Sequence, residues 1–109
     1  TRNFVAANPV NVLLKDGRSV VVDTAGNVYV NTTGNSGMAT PGSGDVLTGL
    51  VASLMAHGLH AARAGITANY LHGLAADIIL AQNGAGVMTA GDITDAIPAA
   101  IANLKKQEA

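Results

Sequence analysis

The hydrophobic positions change period once along the chain. Up to Asn31 they come as short runs, Val12-Leu13-Leu14, Val20-Val21-Val22 and Val28-Tyr29-Val30, separated by Lys15-Asp16-Gly17-Arg18 and by Ala25-Gly26-Asn27. Asp-Gly tolerates the positive φ of a tight hairpin, so the pattern predicts a three-stranded meander. From Asp45 the spacing becomes helical, with Val46, Leu47, Leu50, Val51, Leu54 and Met55 on one face. This predicts a helix from Asp45 to about His57, with Gly58 as its C-terminal cap. A second, alanine-rich helix is expected from about Ala61 to Ala81 and is ended by Asn83-Gly84. The third runs from about Gly91 to Lys106. Thr89-x-x-Asp92 is its capping box, and Lys105 and Lys106 sit at the negative end of its dipole. A glycine-rich loop, Thr32 to Gly44, joins strands to helices. A meander followed by three helices is one end of an α/β layered fold.

Charge alters this picture more than length does. The 109 residues make at most one domain, with 6 Lys+Arg against 7 Asp+Glu and a net charge of −1. That balance argues against a nucleic-acid partner, which needs many cations, and Phe4, Tyr29 and Tyr70 are too few for base stacking. No cysteine is present, so there is no disulfide, thiolate metal site or thiol nucleophile. With 49% hydrophobic and 12% charged residues the chain can bury a core, and a cytoplasmic globular protein is expected. No signal peptide is visible, and the uncharged stretch Val46–Ala62 is too short and too polar to span a membrane. Between Val46 and Leu104, however, the only charges are Arg63, Asp77, Asp92 and Asp95. Such helices should be covered on several sides, by a further part of the same domain or by an oligomer partner. Thr1 and the segment Arg2–Ala7 likewise read as a continuation. The isolated 109 residues are therefore expected to be inactive and poorly soluble.

Candidate chemistry sits at Gly42-Ser43-Gly44-Asp45, where the loop becomes a helix. A helix start has unpaired N–H groups and partial positive charge, and glycines let the backbone wrap a phosphate. The same residues can simply make a tight, capped turn. Asp45 has two open tasks: favourable interaction with the helix dipole, about 0.3–1 kcal/mol, or general base toward a hydroxyl attacking phosphorus. The spelling fits neither a Walker loop, a dinucleotide fingerprint nor a nucleophile elbow.

The run from Asn31 to Gly49, Asn-Thr-Thr-Gly-Asn-Ser-Gly-Met-Ala-Thr-Pro-Gly-Ser-Gly-Asp-Val-Leu-Thr-Gly, closely resembles the ADP/ATP-dependent NAD(P)H-hydrate dehydratases. These are a branch of the ribokinase-like superfamily. Val12-Leu13-Leu14-Lys15 upstream and Leu71-His72-Gly73-Leu74-Ala75-Ala76-Asp77 downstream resemble the family in the same order. The resemblance implies that residues 1–109 form the C-terminal portion of one ribokinase-like domain, its N-terminal portion absent. It implies a repair lyase: hydrated NADH or NADPH is phosphorylated on its hydroxyl and loses phosphate, with ADP or ATP consumed and Mg2+ as cofactor.

By that resemblance Asp45 is the catalytic base and touches the hydrate. Gly42, Ser43 and Gly44 bind the nucleotide phosphates. Lys15, Gly17, Arg18 and Ser19 belong to a nucleotide-contact segment, in which Asp16 and Ser19 replace the family's glycine and threonine. Asn35 either contacts the ligand or steadies the loop. No metal ligand is expected: His57 and His60 lack a third partner, and His72 reads as a hydrogen-bonded packing residue. Met38 either lines the site or anchors the loop. A homo-oligomer and a functional link to an NAD(P)H-hydrate epimerase are expected partners. Two other functions stand beside this one, a ribokinase-like vitamin or sugar kinase and a non-catalytic nucleotide-binding or assembly module. The flanks Gly37–Thr40 and Val46–Gly49 favour the dehydratase.

Overall fold

A computed structural model describes residues 10–14, 19–84 and 88–108. Three antiparallel strands come first, β1 (Val12–Leu14), β2 (Val20–Val22) and β3 (Val28–Val30), in that spatial order. Val12 and Val28 both pair with Val22, and Leu14 and Val30 both pair with Val20. Successive strand side chains alternate between faces. Leu13, Val21 and Tyr29 therefore share one face, and the six remaining aliphatic residues share the other. The expected meander is present, while the turn at Lys15-Asp16-Gly17-Arg18 lies outside the described residues.

The β2–β3 turn is organised by Asp23. Its carboxylate accepts the amides of Ala25 (3.0 Å) and Asn27 (2.9 Å), the Asn27 side-chain amide (3.1 Å) and the Tyr29 hydroxyl (3.1 Å). Gly26 takes the positive φ that the turn requires. These bonds, that from the Asn27 side chain foremost, hold Asp23 below the usual carboxylate range, and the same carboxylate pushes the Tyr29 hydroxyl up.

After a 3-10 turn at Ser36–Met38 come α1 (Ser43–Ala56), α2 (Ala61–Asn83) and α3 (Ala90–Glu108). α1 and α3 start earlier than the apolar spacing suggests, because Ser43, Gly44 and Ala90 carry no periodic signal. α1 ends at Gly58 as expected: the Gly58 amide donates to Met55 (3.0 Å) and the Leu59 amide to Leu54 (3.1 Å), the two bonds of a Schellman motif. The α3 capping box is reciprocal, with the Asp92 amide on Thr89 Oγ1 (3.1 Å) and the Thr89 amide on Asp92 Oδ2 (2.9 Å).

α2 is the central element. Ala64, Gly65, Ala68, Leu71, Ala75 and Ile79 are among its buried residues and lie on more than one side. A helix that is apolar around its circumference belongs in an interior. Its small side chains let the sheet approach at Gly65, where an added Cβ would lie 3.4 Å from Val21. Leu71, Ala75 and Ile79 join Met88, Ile93 and Ala100 in the core cluster.

Two outcomes follow from the caps and the turn. Thr89→Ala should lower stability by about 1 kcal/mol in denaturant titration, since it frees an amide that the hydroxyl satisfies. A carboxylate lowered by folding supports the turn fully above its unfolded pKa and loses that support as pH falls through the folded value. Exchange protection of the Ala25 and Asn27 amides is thus expected to be intact above the ordinary carboxylate range and to decline as pH falls below it.

Candidate active site

The glycine-rich loop is laid along α2 and tied to it repeatedly. Asn31 Nδ2 donates to the Asn69 carbonyl (2.9 Å) and Thr33 Oγ1 to the Tyr70 carbonyl (2.8 Å). Asp77 receives two donors, the Gly34 amide on Oδ2 and Asn35 Nδ2 on Oδ1, each at 2.9 Å. Contact this close requires glycine at position 73, where a Cβ would lie 2.6 Å from the Thr33 carbonyl carbon and 2.8 Å from the Gly34 nitrogen. Asn35 Oδ1 accepts the Gly37 amide (3.0 Å) and so caps the 3-10 turn. Met38 packs against the core, which makes it an anchor of the loop.

The chain then enters α1 through a tight turn. The Ser43 amide donates to the Thr40 carbonyl (3.1 Å), and Gly42 has φ 86° and ψ −9°. With Pro41 before it, this is a type II turn, whose third residue needs positive φ. A Cβ on Gly42 would meet Ala90 Cβ at 3.2 Å, so the first residue of α3 backs the turn. Ser43 is buried, and its hydroxyl lies 3.2 Å from Nε2 of buried His72.

Among the described residues the unpaired donors flank Ser43, the Gly42 amide before and two more after. Gly42 is the N-cap and has no side chain to cap the helix, and the first helical bond runs from the Val46 amide to Gly42 (3.1 Å). The amides of Gly44 and Asp45 have no partner among the described residues. Both lie at the positive end of the α1 dipole, where an anion is stabilised. The Asp45 side chain is exposed beside them.

These positions redistribute the expected roles. Ser43, expected to offer its amide to a phosphoryl group, spends that amide on Thr40 and its hydroxyl on His72. Gly42 and Gly44 keep free donors, and Asp45 adds a third that the sequence reading did not include. Asn35 has each polar atom engaged, Nδ2 by Asp77 of α2 and Oδ1 by the Gly37 amide, which leaves one N–H and one lone pair for a ligand. Ser19 is half-buried at the start of β2, its carbonyl accepting the Asn31 amide (3.0 Å). Lys15, Gly17 and Arg18 lie outside the described residues, as does Asp16. His57 and His60 are exposed, and no group of three His, Cys, Asp or Glu side chains gathers around a metal position among the described residues.

Asp77 is the organising residue that sequence reasoning missed. Its position five residues after His72 argues against one shared ligand, but the two side chains hold two different points of the same loop. Asp77→Asn replaces an acceptor with a donor facing an N–H group, at a cost of about 1–3 kcal/mol. Exchange at the Gly34 amide should then accelerate by about tenfold or more, and unchanged exchange would remove Asp77 from this role.

The profile of the family described as NAD(P)H-hydrate dehydratase matches residues 1–99. The bifunctional NAD(P)H-hydrate repair enzyme Nnr of Moorella thermoacetica is 47% identical over 96 residues, covering 88% of this chain and 18% of that protein. The ADP-dependent (S)-NAD(P)H-hydrate dehydratase of Neisseria meningitidis is 43% identical over 96 residues, covering 87% of this chain and 32% of the other. Among solved structures, the Bacillus subtilis ADP/ATP-dependent NAD(P)H-hydrate dehydratase, co-crystallised with ATP and Mg2+ and soaked with CoA, superposes with a TM-score of 0.87 at 26% identity. That match covers 94% of this chain and 38% of the Bacillus chain, so the present chain spans well under half of each relative. No helix among the described residues is long and apolar enough to cross a membrane. With the family profile matching nearly the whole sequence, the chain belongs to the NAD(P)H-hydrate dehydratase family.

Proposed function

We propose that this chain carries the catalytic aspartate and part of the phosphate site of a nucleotide-dependent NAD(P)H-hydrate dehydratase. The observation that carries the reading is the start of α1, where two unpaired amides and an exposed carboxylate, Asp45, share one helical turn. The amides of Gly44 and Asp45 offset charge on the terminal phosphoryl group of ADP or ATP. Asp45 takes the proton of the hydrate hydroxyl as its oxygen bonds to phosphorus and the shortened nucleotide departs. Loss of phosphate and of a ring proton then restores the double bond of the reduced nicotinamide. A carboxylate is a weak base, but it suffices when the proton leaves only as the P–O bond forms.

Lys15, Gly17, Arg18 and Ser19 serve as the nucleotide-contact segment, with Gly42 shaping the turn beneath the phosphates. Mg2+ arrives with the nucleotide, held by its phosphates and by water. It supplies charge neutralisation there. Asn35 holds the loop against which the hydrate lies.

Residues 1–109 act as the C-terminal portion of one ribokinase-like domain. Supporting this, the relatives are much longer and Leu14, Val28 and Val30 are 45%, 44% and 54% exposed here. A cytoplasmic homo-oligomer working alongside an NAD(P)H-hydrate epimerase completes the proposal.

In the intact protein, hydrate supplied with Mg2+ and ADP or ATP should regain the absorbance of reduced nicotinamide and release inorganic phosphate. A stable phosphorylated product without phosphate release would favour a kinase instead. Asp45→Asn should lower turnover by about 10²–10⁴ while nucleotide affinity stays within about twofold. Turnover surviving within a few-fold would exclude Asp45 as the base.

A further inference from the structure

Every fourth residue of one α2 face meets the sheet or the loop. Gly65 lies against Leu13 and Val21, and Gly73 against Thr33 and Gly34. Asn69 is four residues from each, so its side chain leaves the helix on the same face. On the sheet face that carries Leu13, Val21 and Tyr29, strand alternation places Ser19 and Asn31 in the next row. Their pairing is direct, through the Asn31 amide and the Ser19 carbonyl at 3.0 Å. That row lies within one side chain of α2, since Asn31 Nδ2 reaches the Asn69 carbonyl at 2.9 Å. Asn69 is therefore level with the row of Asn31 and Ser19.

The chemistry at this position is unusual. Asn69 is 2% exposed, yet neither its Nδ2 nor its Oδ1 has a hydrogen-bond partner. Buried side-chain amides almost always find one. The neighbouring buried positions of α2 are filled by Ala64, Ala68 and Ala75, which carry no such demand. Ser19 has only its carbonyl engaged among the described residues. A buried amide without a partner thus lies on the α2 face turned to the row that holds a half-buried hydroxyl without one.

We propose that Asn69 is a positioning residue for nucleotide binding. Its Nδ2 donates, through one bridging water, to the Ser19 hydroxyl oxygen. A serine that accepts there turns its own O–H outward, which suits a phosphate, an acceptor-only group. A site with several polar partners is one that buried water occupies. The ligand class is a nucleoside di- or triphosphate, so this inference rests on the reading of Ser19 as a nucleotide contact.

The test is ADP binding by calorimetry in the intact protein, with Asn69→Leu, Ser19→Ala and the double variant, beside thermal melts and hydrate KM. Asn69→Leu should melt no lower than wild type, weaken ADP binding about tenfold and leave hydrate KM unchanged. Ser19→Ala should weaken ADP binding by a similar factor, and the double variant should bind no worse than Ser19→Ala alone. Wild-type affinity in Asn69→Leu, or two effects that simply add, would overturn the proposal. A wild-type protein that binds no ADP would instead remove the functional reading beneath it. Should Asn69→Leu not fold, a crystal structure of the wild type with ADP decides. A water bridging Asn69 Nδ2 and Ser19 Oγ is expected, and an amide bonded elsewhere sinks the idea.

Discussion

The seam between the glycine-rich loop and α2 sets the geometry of everything downstream. Backbone can lie on backbone there only because position 73 has no side chain, and a methyl group would push the Thr33 and Gly34 backbone off the helix. Close packing alone would leave the loop's amides buried and unpaired, which is costly. Asp77 resolves this with an acceptor-only carboxylate that takes the Gly34 amide and the Asn35 side chain together. Thr33 and Asn31 continue the seam by donating to α2 carbonyls, at Tyr70 and Asn69. The loop is thereby fixed to the most deeply buried element of the fold, as a precise site requires.

Rigidity in the loop fixes where α1 can begin. The turn from Thr40 consumes the Ser43 amide, and His72 consumes the Ser43 hydroxyl in the interior. Ser43 is thus structural in both its polar groups, and the donors left over belong to Gly42, Gly44 and Asp45. The division has a physical logic. A residue that pins a helix start to the core cannot also follow a phosphoryl group as charge moves onto it, whereas the next two amides face outward on a start already held.

Much of this was legible from residue spacing. The strand runs, the Gly58 stop and the Thr89–Asp92 box were visible because each rests on local chemistry: alternation, a left-handed glycine, a reciprocal cap. What stayed hidden was long-range. Nothing local tells that Asp77 answers Gly34 across 43 residues, or that Ser43 turns inward to His72 across 29. The five-residue spacing of His72 and Asp77 argued against one shared ligand, and an extended loop lying along the helix offers each its own partner. Residues at the start of α1 and α3 went uncounted because serine, glycine and alanine mark a cap by geometry and leave no hydrophobic trace.

The distribution of charge bears on what Asp45 is for. α1 runs Ser-Gly-Asp-Val-Leu-Thr-Gly-Leu-Val-Ala-Ser-Leu-Met-Ala, and Asp45 is its one charged residue. Were that carboxylate present to solvate the helix, similar groups would be expected at Thr48, Gly49, Ala52, Ser53 and Ala56, all exposed. None is charged. The sheet tells the same story, since β2 is Val-Val-Val, a run suited to cover on both faces, while Leu14, Val28 and Val30 stand bare beside it. These are surfaces made for apolar neighbours. A lone carboxylate in such surroundings, set where the helix dipole and two unpaired amides concentrate positive potential, is explained poorly by solubility. The dipole alone accounts for about 0.3–1 kcal/mol of its placement. The proposed proton transfer to an attacking hydroxyl, beside an anion held on those amides, would account for why it is this residue, at this turn, that is spared from the apolar rule.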